Sequence, residues 1–154
     1  MKIRFAKQKD KKDVLRLLDE LIACANKYYR EEKRKYKAEN EVRGTIYNEA
    51  IKRGDIKIFV VEENGKLIGM AELFIVPILR RGYHQGVVET FVITETLRGR
   101  GIGSKLFQTI KDYCKRNNIK VIKLTSSIEL TDSHRFYEKH GGKFTEKLFR
   151  FDLT

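Results

Sequence analysis

The stretch VVETFVITETLRGRGIGSKLF, Val87 to Phe107, restricts the fold more than any other part of the chain. An apolar run passes through a glycine-rich turn into an amphipathic helix, whose stripe Ile102, Leu106, Phe107, Ile110, Tyr113 and Cys114 ends near Asn117. A second apolar run, KVIKLTSS from Lys120, follows. A strand that returns through a helix must lie parallel to the one it left, so the strands opening at Val87 and Lys120 should be neighbours.

Upstream, the signals are antiparallel. IKIFVVEENGKLIGMAELFIV contains two strand-like runs joined at Asn64-Gly65, residues that tolerate the positive φ of a tight hairpin. Pro77 is expected to end the second run, with ILRRGYHQG a loop before the next strand. Lys2–Lys7 alternates like a first strand. A first helix is predicted from Asp10 to about Ala25, capped by Asp10 or Asp13, and a second carries Val42, Ile46, Ala50 and Ile51 until Arg53-Gly54-Asp55 stops it. Between them Asn26–Asn40 reads as loop or exposed helical extension. After the Lys120 strand come a short helix in DSHRFYEKHGG and a closing, alternating strand, KFTEKLFRFDL. This order predicts an α/β (α+β) fold: a mixed, mostly antiparallel central sheet flanked by helices. With 154 residues and 41% hydrophobic content, one domain over 1–154 is expected.

No apolar run reaches the ~18 residues of a membrane span, and MKIRFAKQKDKKDVL lacks the core of a secretory signal, so a cytoplasmic protein without a membrane partner is expected. Cys24 and Cys114 sit in helical patterns without metal-ligand spacing, and neither a metal site nor a disulfide is expected. The net charge of +12 attracts polyanions in general. Acids interleave the basic residues, as in KYYREEKRKYKAENE, in the manner of a solvated face, and no nucleic-acid-binding signature appears.

A helix start that follows a glycine turn presents backbone N–H groups without intrahelical partners, at the positive end of the helix dipole. Gly99, Gly101 and Gly103 let a phosphate approach the main chain, and Arg98, Arg100 and Lys105 add charge. The spacing is neither that of a P-loop, because Ser104 separates Gly103 from Lys105, nor the G-x-G-x-x-G of dinucleotide folds. The R-x-x-G-x-G of Arg98, Gly101 and Gly103, with HRFYEKHGGKF about thirty residues on, resembles the GNAT superfamily of N-acetyltransferases. The resemblance is strong over Val87–Phe144 and follows element order elsewhere. It implies an enzyme using acetyl-CoA as acetyl donor, with the pyrophosphate on Arg98, Gly99, Arg100, Gly101, Ile102, Gly103 and Ser104. It places Phe91, Val92 and Ile93 beside the pantetheine arm and thioester, with Ser133 and Phe136 as further coenzyme contacts. Strands splayed at their carboxyl ends would leave main-chain groups for the pantetheine amides, and an N–H near Val92 for the thioester carbonyl.

Transfer to an amine requires a base for the amine and a proton for the departing thiolate. Tyr137, in HRFYE, matches the family's general acid, and a phenol of pKa about 10 stays protonated at neutral pH; the alternative is a tyrosine packed beside Phe136. Glu89 stands in an apolar run, where a carboxylate is costly to bury unless paired or functional. It is the candidate base, with Glu72 its competitor and a structural role the alternative. One departure from the family pattern is IELTDSH, where relatives carry an Asn or Arg that contacts the coenzyme; Ser133 offers a hydroxyl instead. The acceptor is expected to be a primary amine of a small molecule or peptide, framed by Tyr28, Tyr29, Tyr36 and the Arg80–His84 loop, which favours an anionic group on it. A homodimer through the last strand is one arrangement of the chain. A different functional class stays open: a catalytically inactive binding or regulatory module that contacts polyanions.

Overall fold

The computed structural model describes residues 1–28 and 39–153. These form two compact units, Met1–Leu124 and Thr125 onward. The first contains β1 (Lys2–Phe5), α1 (Lys11–Asn26), α2 (Asn40–Ala50), β2 (Ile56–Glu63), β3 (Lys66–Ile78), β4 (Tyr83–Ile93), α3 (Ile102–Arg116) and β5 (Ile119–Leu124). The five strands make one sheet in sequence order, antiparallel from β1 to β4 and parallel between β4 and β5. The crossover through α3 therefore joins adjacent parallel strands, with Val87 opposite Lys123. Among the described residues no helix is long and apolar enough to cross a membrane.

Strand alternation divides the core between the two faces of the sheet. On one face Leu106, Ile110 and Cys114 of α3 pack on Phe59, Val61, Ala71, Leu73 and Val88. On the other, Val14 and Leu17 of α1 and Tyr47 and Ala50 of α2 pack on Ile58, Val60, Met70 and Val92. The Tyr47 hydroxyl donates to the Lys7 carbonyl at 2.6 Å, which satisfies its polar end.

Local chemistry explains most boundaries. Asn64 and Gly65 have φ of 50° and 75°, the paired positive values of a tight hairpin. Asp10 does not cap α1 with its side chain. Its carboxylate instead accepts from the Lys7 N–H at 2.7 Å and from the Arg4 guanidinium at 2.7 and 3.0 Å, and Arg4 also donates to Glu62 at 2.6 Å. This network ties β1 to β2 and to the turn before α1.

Three expectations are corrected. Pro77 does not end its strand but pairs with His84 inside β3. β2 has already stopped, its last pair being Ile56 with Phe74, so Pro77 occupies a locally free edge where its missing N–H leaves no partner unpaired. The loop after it shrinks to a turn at Leu79–Arg81 closed by Gly82, and β4 begins at Tyr83. In the second unit, α4 (Thr131–Lys139) is present, but Lys143–Leu153, expected as a strand, has no regular structure. Its apolar side chains are bare, Phe144 at 89%, Phe149 at 77% and Phe151 at 83% exposure.

Candidate active site

The glycine turn lies between the end of β4 and the start of α3. Gly99 and Gly101 adopt φ of 76° and 77°, the left-handed region that a side chain disfavours. A Cβ on either would meet no atom within 4 Å, so the space above the turn is open. The first helical bond of α3 runs from the Lys105 N–H to the Gly101 carbonyl at 3.1 Å. The amides of Gly99 to Ser104 make no hydrogen bond among the described residues, while the Ile102 side chain is buried in the core and anchors the turn. A run of free amides at the positive end of a fifteen-residue helix has the donor set that a diphosphate requires.

Arg98 departs in part from this set. Its own amide donates to the Glu95 carbonyl at 3.2 Å, its Nε to the Ile93 carbonyl at 2.9 Å, and its Nη1 to the Cys24 sulfur at 3.2 Å. It braces the turn against β4 and α1. Lys27, just past α1, and Glu95, in the turn, are 3.0 Å apart and add an exposed link. These contacts are not legible in sequence, because the partners, Cys24 in α1 and Lys27 just past it, lie about seventy residues away in the chain.

β4 pairs with β5 only as far as Val88 opposite Leu124, so Glu89 to Ile93 run on with β3 as their sole partner. The ladder stops where β5 itself ends, so among the described residues no strand covers the outer edge of Phe91, Val92 and Ile93, where the Ile93 carbonyl accepts from Arg98 Nε. Their side chains are committed elsewhere: Phe91 packs on Phe107 with centroids 6.0 Å apart, and Val92 and Ile93 are buried.

At the start of this free edge lies a bulge. Ala71 pairs with Phe91 and Leu73 with Val88, leaving Glu89 and Thr90 opposite the single residue Glu72. The buried Thr90 donates its hydroxyl to Glu72 Oε2. Burial pushes the Glu72 carboxyl above its usual range, the Thr90 hydrogen bond opposes this, and the Glu89 charge adds to it. Glu89 itself is exposed.

In the second unit Ser133, Phe136 and Tyr137 share one half-buried face of α4. Burial raises the Tyr137 phenol, which keeps it protonated at neutral pH. Its ring meets Phe136 edge-on at 5.4 Å. His134 and His140 are engaged by the Ser127 and Phe136 carbonyls at 2.9 and 2.7 Å. Of the residues expected to frame an acceptor, Tyr28 is exposed, Arg80 and Arg81 lie in the shortened turn, Tyr83 and His84 belong to β4, and Tyr29 and Tyr36 lie outside the described residues. Cys114 is buried, its thiol pushed up to about 11 by loss of solvent.

The chain is 30% identical over 88 residues to the aminoalkylphosphonate N-acetyltransferase of Salmonella typhimurium, covering 57% of this chain and 56% of that one. It is 32% identical over 98 residues to the glucosamine 6-phosphate N-acetyltransferase of Trypanosoma brucei brucei, covering 63% and 65%. The matches thus span less than two thirds of either curated relative. In fold, the crystal structure of a transcriptional regulator from Bacillus halodurans C-125 superposes with a TM-score of 0.83 at 22% identity, covering 99% of each chain. The sequence pattern of the acetyltransferase (GNAT) family matches residues 16–142, and the chain belongs to that family.

Proposed function

We propose that the chain is a cytoplasmic N-acetyltransferase that moves the acetyl group of acetyl-CoA to a primary amine of a small molecule or peptide, by direct attack in a ternary complex. The observation that carries this reading is the run of free amides from Gly99 to Ser104 beneath open space. They hold the pyrophosphate, with Arg100 and Lys105 adding charge, and the coenzyme supplies an acetyl thioester. The free edge of Phe91 to Ile93 takes the pantetheine amides as an added strand would, and an N–H near Val92, that of Phe91 or Ile93 on the side away from β3, donates to the thioester oxygen as charge develops on it. Phe136, in HRFYE, is a further coenzyme contact, and Ser133 offers a hydroxyl where the chain departs from the family pattern.

Glu89 takes the proton of the acceptor ammonium. Tyr137, assigned from HRFYE, returns a proton to the departing thiolate, and its protonated state fits that task. Direct attack rather than a covalent enzyme intermediate agrees with the buried, protonated Cys114 thiol. The curated relatives are named for amines that carry a phosphonate or a phosphate. An acceptor with an anionic group is proposed here too, with the exposed Arg80 and Arg81 as complementary charge. We also propose that the chain dimerises through Lys143–Leu153, whose exposed aromatic residues have strand-like alternation.

Calorimetric titration tests the coenzyme site. Gly101→Val forces a side chain into a left-handed position above the turn and should weaken CoA binding about tenfold or more, ~1.4 kcal/mol. Pantetheine, which lacks the diphosphate, should bind both proteins equally. Undiminished CoA affinity in the variant contradicts the assignment.

A further inference from the structure

The Glu89 assignment leaves unexplained why a second carboxylate is kept, largely removed from water, in the same bulge. Glu72 lies between Ala71 and Leu73, both in the α3-side cluster, and Val88, Phe91 and Ile93 face that same side. Two residues rather than one separate Val88 from Phe91, and this extra residue breaks the alternation of β4. The break places the Thr90 hydroxyl on Glu72, on the side of the sheet that α1 and α2 cover.

Among the described residues nothing of opposite charge faces Glu72. Across β2 its partner is Ile58, and α1 and α2 contribute Val14, Leu17, Tyr47 and Ala50 to that face. Tyr47 is itself neutral, its hydroxyl on the Lys7 carbonyl and its phenol pushed up to about 12 by burial. Among the described residues the one charge acting on Glu72 is that of Glu89, of the same sign. A purely structural polar group here would be better served by an amide or hydroxyl, because an unpaired buried carboxylate lowers stability. Among the described residues Glu72 Oε1 accepts no hydrogen bond, so Thr90 orients one oxygen and leaves the other to take a proton.

We infer that Glu72 is a proton-relay residue of the transferase: the proton that Glu89 takes from the acceptor ammonium passes to Glu72, with Thr90 orienting the receiving carboxylate. This rests on the reading of Glu89 as base. The balance is simple. The ammonium becomes a neutral amine and Glu89 a carboxylic acid; Glu89 then passes its proton through a cleft water to Glu72, no hydrogen bond joining the two carboxyls directly, and is again an anion. The preference of Glu72 for its neutral form, strengthened by the anionic Glu89, drives the second transfer, and solvent removes the proton after turnover. The cleft can thus return Glu89 to its basic form before the product leaves.

Carbon-detected NMR of the glutamate side-chain carboxyls across a pH titration of the full-length protein tests this without an acceptor. Glu72 should titrate above an ordinary glutamate, with its midpoint falling by about half a pH unit or more in Glu89→Gln and rising in Thr90→Val. A Glu72 midpoint that neither substitution moves overturns the relay. The kinetic arm uses acetyl-CoA with glucosamine 6-phosphate. Glu72→Gln should lower kcat roughly ten- to a hundredfold, leave KM for acetyl-CoA unchanged and move the acid limb of kcat/KM to lower pH. Wild-type kcat with an unmoved acid limb also overturns it. Wild-type turnover in Glu89→Gln instead removes Glu89 as base, a separate failure that the NMR coupling would not share. Thr90→Val serves in both arms if Glu72→Gln does not fold.

Discussion

Asp10 and Glu72 are both carboxylates with little access to water, and their surroundings push them in opposite directions. The Arg4 guanidinium and the Lys7 N–H hold Asp10 below its usual range. A depressed native pKa contributes stability that is present above the unfolded value and is lost as pH falls through about 4. Asp10→Asn should therefore lower stability at pH 7 by roughly 2–3 kcal/mol and flatten the acid side of the denaturation profile; urea unfolding at several pH values reads both. Glu72 has a raised pKa, so its contribution has the other sign: stability is fully present below the unfolded value and declines as pH rises through the native one. Glu72→Gln is accordingly expected to raise Tm at pH 7 while slowing turnover, and a lower Tm would show that the carboxylate is structurally required. Tyr137→Phe removes only a hydroxyl. It should reduce kcat about tenfold to a hundredfold with calorimetric CoA affinity unchanged, and full turnover would remove the phenol as proton donor.

β4 changes character halfway along, and this decides which elements could be read from the sequence. Its first half lies between two strands and its second half has one neighbour. Signals contained within a few residues were legible: the Asn64-Gly65 hairpin, the period of α3, the crossover and the amide-rich turn. The bulge was not, because Glu89 and Thr90 become a bulge only against the register of Glu72 on another strand. Pro77 was misread for a related reason, since whether it lies at a free edge depends on where β2 stops. Arg98 was legible as a cation of the turn, but its bracing contact with Cys24 depends on where α1 ends. The tail shows the limit of periodicity. Phe149, Phe151 and Leu153 alternate as a strand should, yet a period does not supply the strand to pair with, and all three are exposed. If the tail pairs with a second copy, sedimentation should give a dimer for the full chain and a monomer after truncation at Gly142. A full-length monomer would contradict the proposed dimer.

At the scale of the whole molecule, the +12 charge and the free amides make different demands on a ligand. Diffuse charge attracts any polyanion and is screened by salt. A run of six unpaired N–H groups, Gly99 to Ser104, is by contrast the donor set proposed to take a compact phosphate in one orientation. Family membership and the edge of β4 left without a strand neighbour beyond Val88 favour the second as the basis of function. The most direct test follows the backbone amides of the nitrogen-15-labelled protein as CoA is added at physiological salt. The account predicts large, saturable shifts at Gly99 to Ser104 and along Phe91 to Ile93, with pantetheine moving only the second group. Shifts confined to scattered lysines and arginines, with the turn amides unmoved, would contradict it.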